Sequence, residues 1–474
     1  MRFPLLGKVL ALGAVMVLLL SALGAVNGVV DERRRRQAEA ELGVASSLAG
    51  AQTLLGPALL RRCRETWTRV EGDGKDSRKL AEHRDFVQTL WPRRLVVTSR
   101  VTIEPRYRGL FKINGYLSQS TLAAEWGDSV APEPNPQLAD VRMTCDAPTV
   151  ALAFSDARGV RSASMRAAGA DLALLPGSGM ATNPRGLHAV LSDASARGGP
   201  LRVEVALALA GTGSLAWTPV GDESSVQASS DWAHPSFGGQ FLPVAREVSA
   251  QGFQARWQVS ALATTAQQIL RDGGTVCALR DEVEAQIQTP ANAARACVDT
   301  FGVRFIDPVN GYVLSDRAVK YGLLFIALTF IVVALVEVMR RLRVHPVQYL
   351  MVGSALTVFF LLLISLSEHI GFGMAYLCAG AACTALLAFY GTQVLHGLRP
   401  GLAFGAGIAG LYATLYALLQ LEQTALVLGS VLLFGVLAAV MVATRRLDWY
   451  ELAAELRGTS LPAAASERPS GASA

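Results

Sequence analysis

Gln348 to Leu366 reads QYLMVGSALTVFFLLLISL, nineteen residues without a formal charge. At 1.5 Å per residue such a run is about 28 Å long as a helix, close to the roughly 30 Å hydrocarbon core of a bilayer. Arg340, Arg341 and Arg343 precede it, and Ser367-Glu368-His369 follows. The reading is a membrane-spanning helix with a basic flank on one side and a polar flank on the other. Comparable runs occupy Tyr321 to Val338, Phe372 to Tyr390, Leu402 to Gln420 and Ala425 to Ala443. Near the start of the chain, Val9 to Val26 (VLALGAVMVLLLSALGAV) is also uncharged, with Arg2 and Lys8 in front. A cleaved signal peptide competes there, since Ala22, Gly24 and Ala25 could border a cleavage site. The run is longer than a usual signal core, which favours an uncleaved anchor.

The composition agrees with a chain only partly immersed in lipid. Hydrophobic residues make up 51% and charged residues 17%, against roughly 25% charged in soluble domains. The mean hydropathy of +0.34 is too modest for immersion throughout. Between Asp31 and Arg317 no run is long enough to cross a membrane. Leu201 to Leu209 (LRVEVALAL) alternates apolar and polar residues, the period of a half-buried strand. Gly211-Thr212-Gly213 then reads as a turn, with Leu215 to Val220 as the return strand. Leu95 to Ile103 and Phe253 to Val259 read as further strands, Thr264 to Arg271 as a short helix, and Arg33 to Leu55 as a helical extension of the anchor. The expected fold is six transmembrane helices plus a mainly-β soluble periplasmic domain. Its boundaries are a cytoplasmic N-terminus at 1–8, an anchor at 9–30, a β-rich domain at 31–317, a five-helix membrane domain at 318–443 and a partly disordered tail at 444–474.

Charge placement orients this arrangement. The net charge of +5 gathers in clusters beside apolar runs, which suits lipid headgroups and topology better than a nucleic-acid groove. No nucleic-acid partner is expected; the bilayer is. The Arg340 to Arg343 connector marks a cytoplasmic side, and alternation puts Arg2, Lys8, Arg399, Arg445 and Arg446 with it. Both termini are then cytoplasmic and the large domain is exported. Arg33 to Arg36 contradict the rule, because the same alternation exports them.

No catalytic or metal signature stands out. The six histidines form no HExxH pattern, and GxSxG and phosphate-loop motifs are absent. PGSG at Pro176 to Gly179 reads as a turn. Cys63, Cys145, Cys277 and Cys297 allow two disulfides in three pairings, Cys277 with Cys297 being the nearest pair. No enzyme activity and no cofactor are expected. Two places carry functional candidates. Ser367, Glu368 and His369 form a polar cluster at the edge of a span, where ionisable groups are costly and often functional. Trp232, His234, Pro235, Phe237 and Phe241 lie in an aromatic, Gly- and Pro-rich loop suited to contacting a partner.

Several stretches resemble the CreD family of bacterial inner-membrane proteins, also called cell envelope integrity proteins. They are Asp231 to Trp257 (DWAHPSFGGQFLPVAREVSAQGFQARW), Asp316 to Phe330 (DRAVKYGLLFIALTF), His345 to Phe372 (HPVQYL followed by SLSEH) and Thr444 to Tyr450 (TRRLDWY). The shorter SDARG at Ser155 to Gly159 and LAGTGSL at Leu209 to Leu215 fall in the expected order. The resemblance implies an inner-membrane protein with a large periplasmic domain. It also implies links to the Cre two-component system, to envelope stress and to tolerance of colicins or β-lactams. It supplies no catalytic residues. Two functions follow as expectations: a non-enzymatic envelope protein whose exported domain binds an envelope protein or glycan, or a small-solute or lipid transporter working through Ser367, Glu368 and His369.

Overall fold

The structure, a computed structural model, describes residues 4–71, 78–127, 141–192, 200–279, 297–307, 311–339, 344–420 and 425–445. Arg2, the Arg340 to Arg343 connector, Glu422, Arg446 and the C-terminal tail lie outside the described residues. Two compact units emerge, Met1–Arg36 with Val309–Ala474, and Gln37–Pro308. The described α-helices are α1 (Pro4–Ser47), α2 (Ala266–Arg271), α3 (Gly311–Met339), α4 (Pro346–Ser367), α5 (Phe372–Val394), α6 (Leu398–Gln420) and α7 (Ala425–Thr444).

In the helical unit, α1, α3, α4, α5 and α6 are long and apolar enough to cross a membrane, while the apolar stretch described in α7, Val427–Val442, is shorter. The six-span expectation therefore stands as five such helices and one shorter apolar helix. Leu19, Leu23, Val26 and Val30 of α1 are buried, a spacing of four, three and four that keeps one helical face inward. Glycines receive this face: a Cβ at Gly353 would fall 2.2 Å from Leu19, and one at Gly322 3.0 Å from Leu23. Helices α5 and α6 approach through small residues, Gly401 against Thr392 and Gly405 against Ala388, the close packing that membrane helices favour where lipid removes the hydrophobic drive. HPVQYL is the start of α4. The His345 ring accepts from the Val347 amide, Pro346 occupies the first turn, and the Gln348 side chain accepts from the His345 amide at 3.0 Å. Capping of this kind satisfies amide donors that lipid cannot.

The other unit is a sandwich of two sheets. One runs in the order Pro235–Gly239, Phe301–Phe305, Ser214–Trp217, Gln52–Glu71, Thr149–Phe154, Gly186–Val190 and Leu175–Pro176, with Arg78–Leu90 and Arg142–Cys145 also paired to Gln52–Glu71. The other runs Ala245–Ser249, Gly252–Ser260, Glu223–Ser230, Arg94–Arg108, Phe111–Glu125, Arg202–Thr212, Val160–Ala167 and Ala170–Asp171. Inward residues of both sheets form one core. Trp257 of the second sheet packs against Trp217 and Phe301 of the first, with centroids 5.9 and 5.8 Å apart.

Two local expectations are corrected. The helical extension over Arg33 to Leu55 ends at Ser47, and a strand begins at Gln52. Nor do Leu201 to Leu209 and Leu215 to Val220 form a hairpin. Arg202–Thr212 pairs with Phe111–Glu125 and Val160–Ala167 in one sheet, whereas Ser214–Trp217 pairs with Gln52–Glu71 and Phe301–Phe305 in the other. Gly213, at φ +75°, lets the chain cross between layers instead of folding back. The strand reading at Leu95 to Ile103 and Phe253 to Val259 and the short helix before Arg271 match the structure. Of the three cysteine pairings, Cys63–Cys145 and Cys277–Cys297 form.

Candidate functional site

Glu368 caps the C-terminal end of α4. Its carboxylate lies 3.1 Å from Nε of Arg33 on α1 and 3.5 Å from the hydroxyl of Tyr312 on α3. Its two sequence neighbours do not join it. The Ser367 hydroxyl donates to the Ile364 carbonyl at 2.8 Å, and the His369 ring meets the Ser365 carbonyl at 3.2 Å. Both are local contacts within their own chain segment. Of the three residues read as a cluster, only Glu368 makes a polar contact with another helix among the described residues.

A second carboxylate completes the arrangement. Asp316 on α3 is 3.4 Å from Arg34 and accepts from Lys320, one turn on, at 2.8 Å. The Glu368 and Asp316 side chains are only 7% and 10% exposed, so each needs a cation beside it. Arg36 pairs with Glu32 on α1 itself. The arginines that violate the charge rule are thus largely answered by acids at the same end of the bundle. Sequence reasoning noted Arg33 to Arg36 and Glu368 separately but passed over Asp316, which the quoted DRAVK contains with Lys320 spaced for an i, i+4 pair.

At the other end of the bundle, Lys8 pairs with Glu337, which also accepts from the Tyr349 hydroxyl at 2.8 Å and the Val344 amide at 3.2 Å. Lys8 and Arg33 stand about 38 Å apart along α1 at 1.5 Å per residue. That exceeds a hydrocarbon core of roughly 30 Å and falls short of the roughly 40–45 Å that includes headgroups. Both ion-pair groups therefore fit the interfaces, not mid-membrane. The arrangement can hold α1 to α3 and α4 at two levels. It has no nucleophile poised beside a base.

In the sandwich, SDARG and LAGTGSL converge on the last turn of α1 and the link behind it. Arg158 donates to the Ser46 and Ala45 carbonyls, and Asp156 accepts from the Gly50 amide at 3.2 Å. The Arg158 guanidinium, bonded to Asp156 at 2.6 and 2.9 Å, holds that carboxyl down to about 2. Ser155 donates to the Ala51 carbonyl at 2.7 Å, and Thr212 donates to that of Ala49 at 3.1 Å. Gly159 and Gly211 are required by close approach: a Cβ at the first would sit 2.2 Å from the Ala210 carbonyl oxygen, and at the second 2.4 Å from the Tyr116 hydroxyl. These motifs are a joint between helix and strand, which their scattered positions in sequence concealed.

The aromatic loop is woven into the sandwich. Phe237 packs edge-on to Phe253 and Trp257 at 5.5 and 5.7 Å, and Phe241 meets Phe301 at 6.2 Å. The Trp232 indole donates to the His234 and Ile306 carbonyls at 2.9 and 3.1 Å. Pro235 begins the edge strand Pro235–Gly239 and is half-buried, as is Trp232, while His234 is exposed beside them. The large side chains left exposed just beyond the loop are the aliphatic Leu242, Val244 and Val248.

An apolar bundle with interfacial charges, carrying a disulfide-bonded β-sandwich between its first and second long helices, defines a multi-pass membrane protein with a large soluble insertion. The sequence profile described as Inner membrane protein CreD matches residues 4–450. Inner membrane protein CreD of Escherichia coli (strain K12) is 33% identical over 451 residues, covering 95% of each chain. The chain belongs to the CreD family of inner membrane proteins.

Proposed function

We propose that this is a non-enzymatic cell-envelope protein that displays its β-sandwich in the periplasm and binds an envelope component there. The observation that carries this reading is the pair of disulfides, Cys63–Cys145 and Cys277–Cys297, both in the sandwich, since such bonds persist in oxidising compartments and rarely in the cytosol. Both chain termini are then cytoplasmic, as the charge of the flanks supports. Envelope integrity under stress, with a tie to the Cre two-component system and to colicin or β-lactam tolerance, is the role that family membership favours. The transport reading draws less support, because Ser367 and His369 turn to carbonyls of their own segment and Glu368 is engaged with Arg33.

Labelling of intact cells tests the orientation. A cysteine placed at exposed Gln227 should react with a membrane-impermeant maleimide without permeabilisation, and a cysteine in the C-terminal tail should not. The opposite pattern sinks the proposal. Binding is tested by photo-crosslinking the full chain in cells: a reproducible adduct on the sandwich is expected, and recovery of the protein alone from every exposed position argues against it.

A further inference from the structure

The strands Arg94–Arg108 and Phe111–Glu125 outrun their neighbours. They pair with each other all the way from Arg94 opposite Glu125 to Arg108 opposite Phe111. Their outer partners stop short: Glu223–Ser230 reaches only Val101, and Arg202–Thr212 only Gly115. From Thr102 to Asn114 the hairpin is therefore a two-stranded finger, closed by a turn at Gly109 and Leu110 with Gly109 at φ +61°. One face is braced by the end of α1. The Arg108 guanidinium fills the space that a Cβ at Gly43 would take, and a Cβ at Gly115 would meet Leu48 at 3.5 Å. The tip reads EPRYRGLFK, Glu104 to Lys112. Tyr107 and Leu110 are 71% and 60% exposed. Lys112 stands opposite Tyr107 in the register and, like Arg108, forms no ion pair with a described residue. Glu104 is held by Arg106 at 2.7 Å, and Glu41, the acid nearest Gly43 in sequence, accepts from Gln37 at 3.3 Å. The tip thus sets three cations against one carboxylate, around an exposed tyrosine and an exposed leucine.

We propose that the finger docks its tip on the headgroup layer of the leaflet from which α1 emerges, a surface of anionic phospholipid. The proposal goes beyond the envelope-binding reading and does not rest on it, since the contact holds on whichever side α1 emerges. Three observations carry it. The chemistry is that of an interfacial anchor: Arg108 and Lys112 are free to meet phosphates, Tyr107 suits the headgroup level, and Leu110 suits the acyl boundary below it. The tether is short. Only ten residues of continuous helix, about 15 Å, join Arg33 at the membrane interface to Gly43 beneath the finger. The finger also has no further strand beside it among the described residues, and a two-stranded ribbon is marginally stable in water by itself. A protein partner would need some 20–30 residues and about 800 Å² on each side, more than this tip offers. A docked finger gives the sandwich a second foothold on the membrane beside α1.

The test uses the full chain in lipid nanodiscs, with a fluorescent amino acid in place of Leu110 and quenching by lipids that carry a nitroxide on the headgroup. The same fluorophore in place of exposed Thr98, ten residues and about 33 Å back along the strand from Arg108, is the comparison. In discs containing phosphatidylglycerol, quenching at 110 should exceed that at 98 at least about twofold. It should fall when phosphatidylcholine replaces phosphatidylglycerol, and it should fall when salt is added. Tyr107→Ser with Lys112→Gln should lower it to a similar degree, whereas Lys112→Arg, which keeps the charge, should leave it unchanged. Unchanged melting of each variant secures that comparison, and the lipid exchange needs no variant of the tip's charges. Equal quenching at 110 and 98, indifference to the lipid exchange, or full quenching in the Tyr107 and Lys112 variant overturns the proposal. None of these outcomes touches the envelope-binding reading, which labelling and crosslinking decide.

Discussion

Breaking the Arg33–Glu368 pair should hurt unequally depending on which partner is removed. At 3.1 Å and an effective dielectric of 20, the gross attraction is about 5 kcal/mol. Desolvation of both groups offsets most of that, and Arg33, 34% exposed, is further screened by water. A net coupling of about 1–2 kcal/mol remains. Arg33→Gln leaves the Glu368 carboxylate, 7% exposed, without its cation, and should cost about 2–3 kcal/mol. Glu368→Gln leaves an arginine that can still reach water, and should cost about 1 kcal/mol. The double variant should cost less than the sum of the two, and Arg33→Glu with Glu368→Arg should recover part of the loss. The assay is thermal unfolding of the full chain in micelles, read on the helical transition, since two units need not melt together. Equal single costs, strict additivity in the double variant and no recovery on exchange would together refute a stabilising Arg33–Glu368 pair.

Gly159→Ala should destabilise the sandwich by about 2–3 kcal/mol, since its Cβ meets the Ala210 carbonyl at 2.2 Å. Gly50→Ala, with open space at its Cβ, should stay within about 0.5 kcal/mol by the same melt. Asp156, held at about 2 against an ordinary 3.8 by Arg158, contributes stability that is full above about pH 4 and lost as pH falls through 2. Discounted for the exposed Arg158 side chain, Asp156→Asn should cost about 1 kcal/mol at neutral pH, a deficit that urea titrations should find vanishing toward pH 2. Removing Cys63–Cys145, which closes 82 residues of chain, should cost about 4.5 kcal/mol, and removing Cys277–Cys297, which closes 20, about 3.3 kcal/mol. Paired serine variants should therefore melt in that order, and the reverse order would count against the chain-entropy account.

What could be read from sequence, and what could not, divides by the range of the physics. A span is legible because transfer into lipid sums over some 20 neighbouring residues, so Gln348 to Leu366 announces itself. Alternation in LRVEVALAL is equally local, and it located a strand. It could not say that the chain would change layers at Gly213, because Gly211-Thr212-Gly213 supplies a glycine conformation compatible with either a hairpin or a crossing. The four sandwich cysteines left three pairings open for the same reason. Asp156 and Arg158 gave no hint that they would clasp the end of α1, more than a hundred residues earlier.

The charged site shows how a long-range contact can still leave a local trace. The alternation read from the sequence assigns Arg33 to Arg36 to the side where the charge rule forbids them, and Glu368 stands beside a span where a lone carboxylate is costly. Each looked like an anomaly by itself. The alternation of spans assigns both to the same end of the bundle, and two uncompensated charges of opposite sign at one interface are more stable together than apart. The contact between Arg33 and Glu368 was therefore inferable from the pair of violations, although neither residue alone pointed to the other. Asp316 follows the same logic: an acid at the foot of α3 needs more than the exposed Lys320, and Arg34 is the cation within reach. Unexplained charge at a membrane edge is best read in pairs, across helices, with the sign and the side as the matching rule.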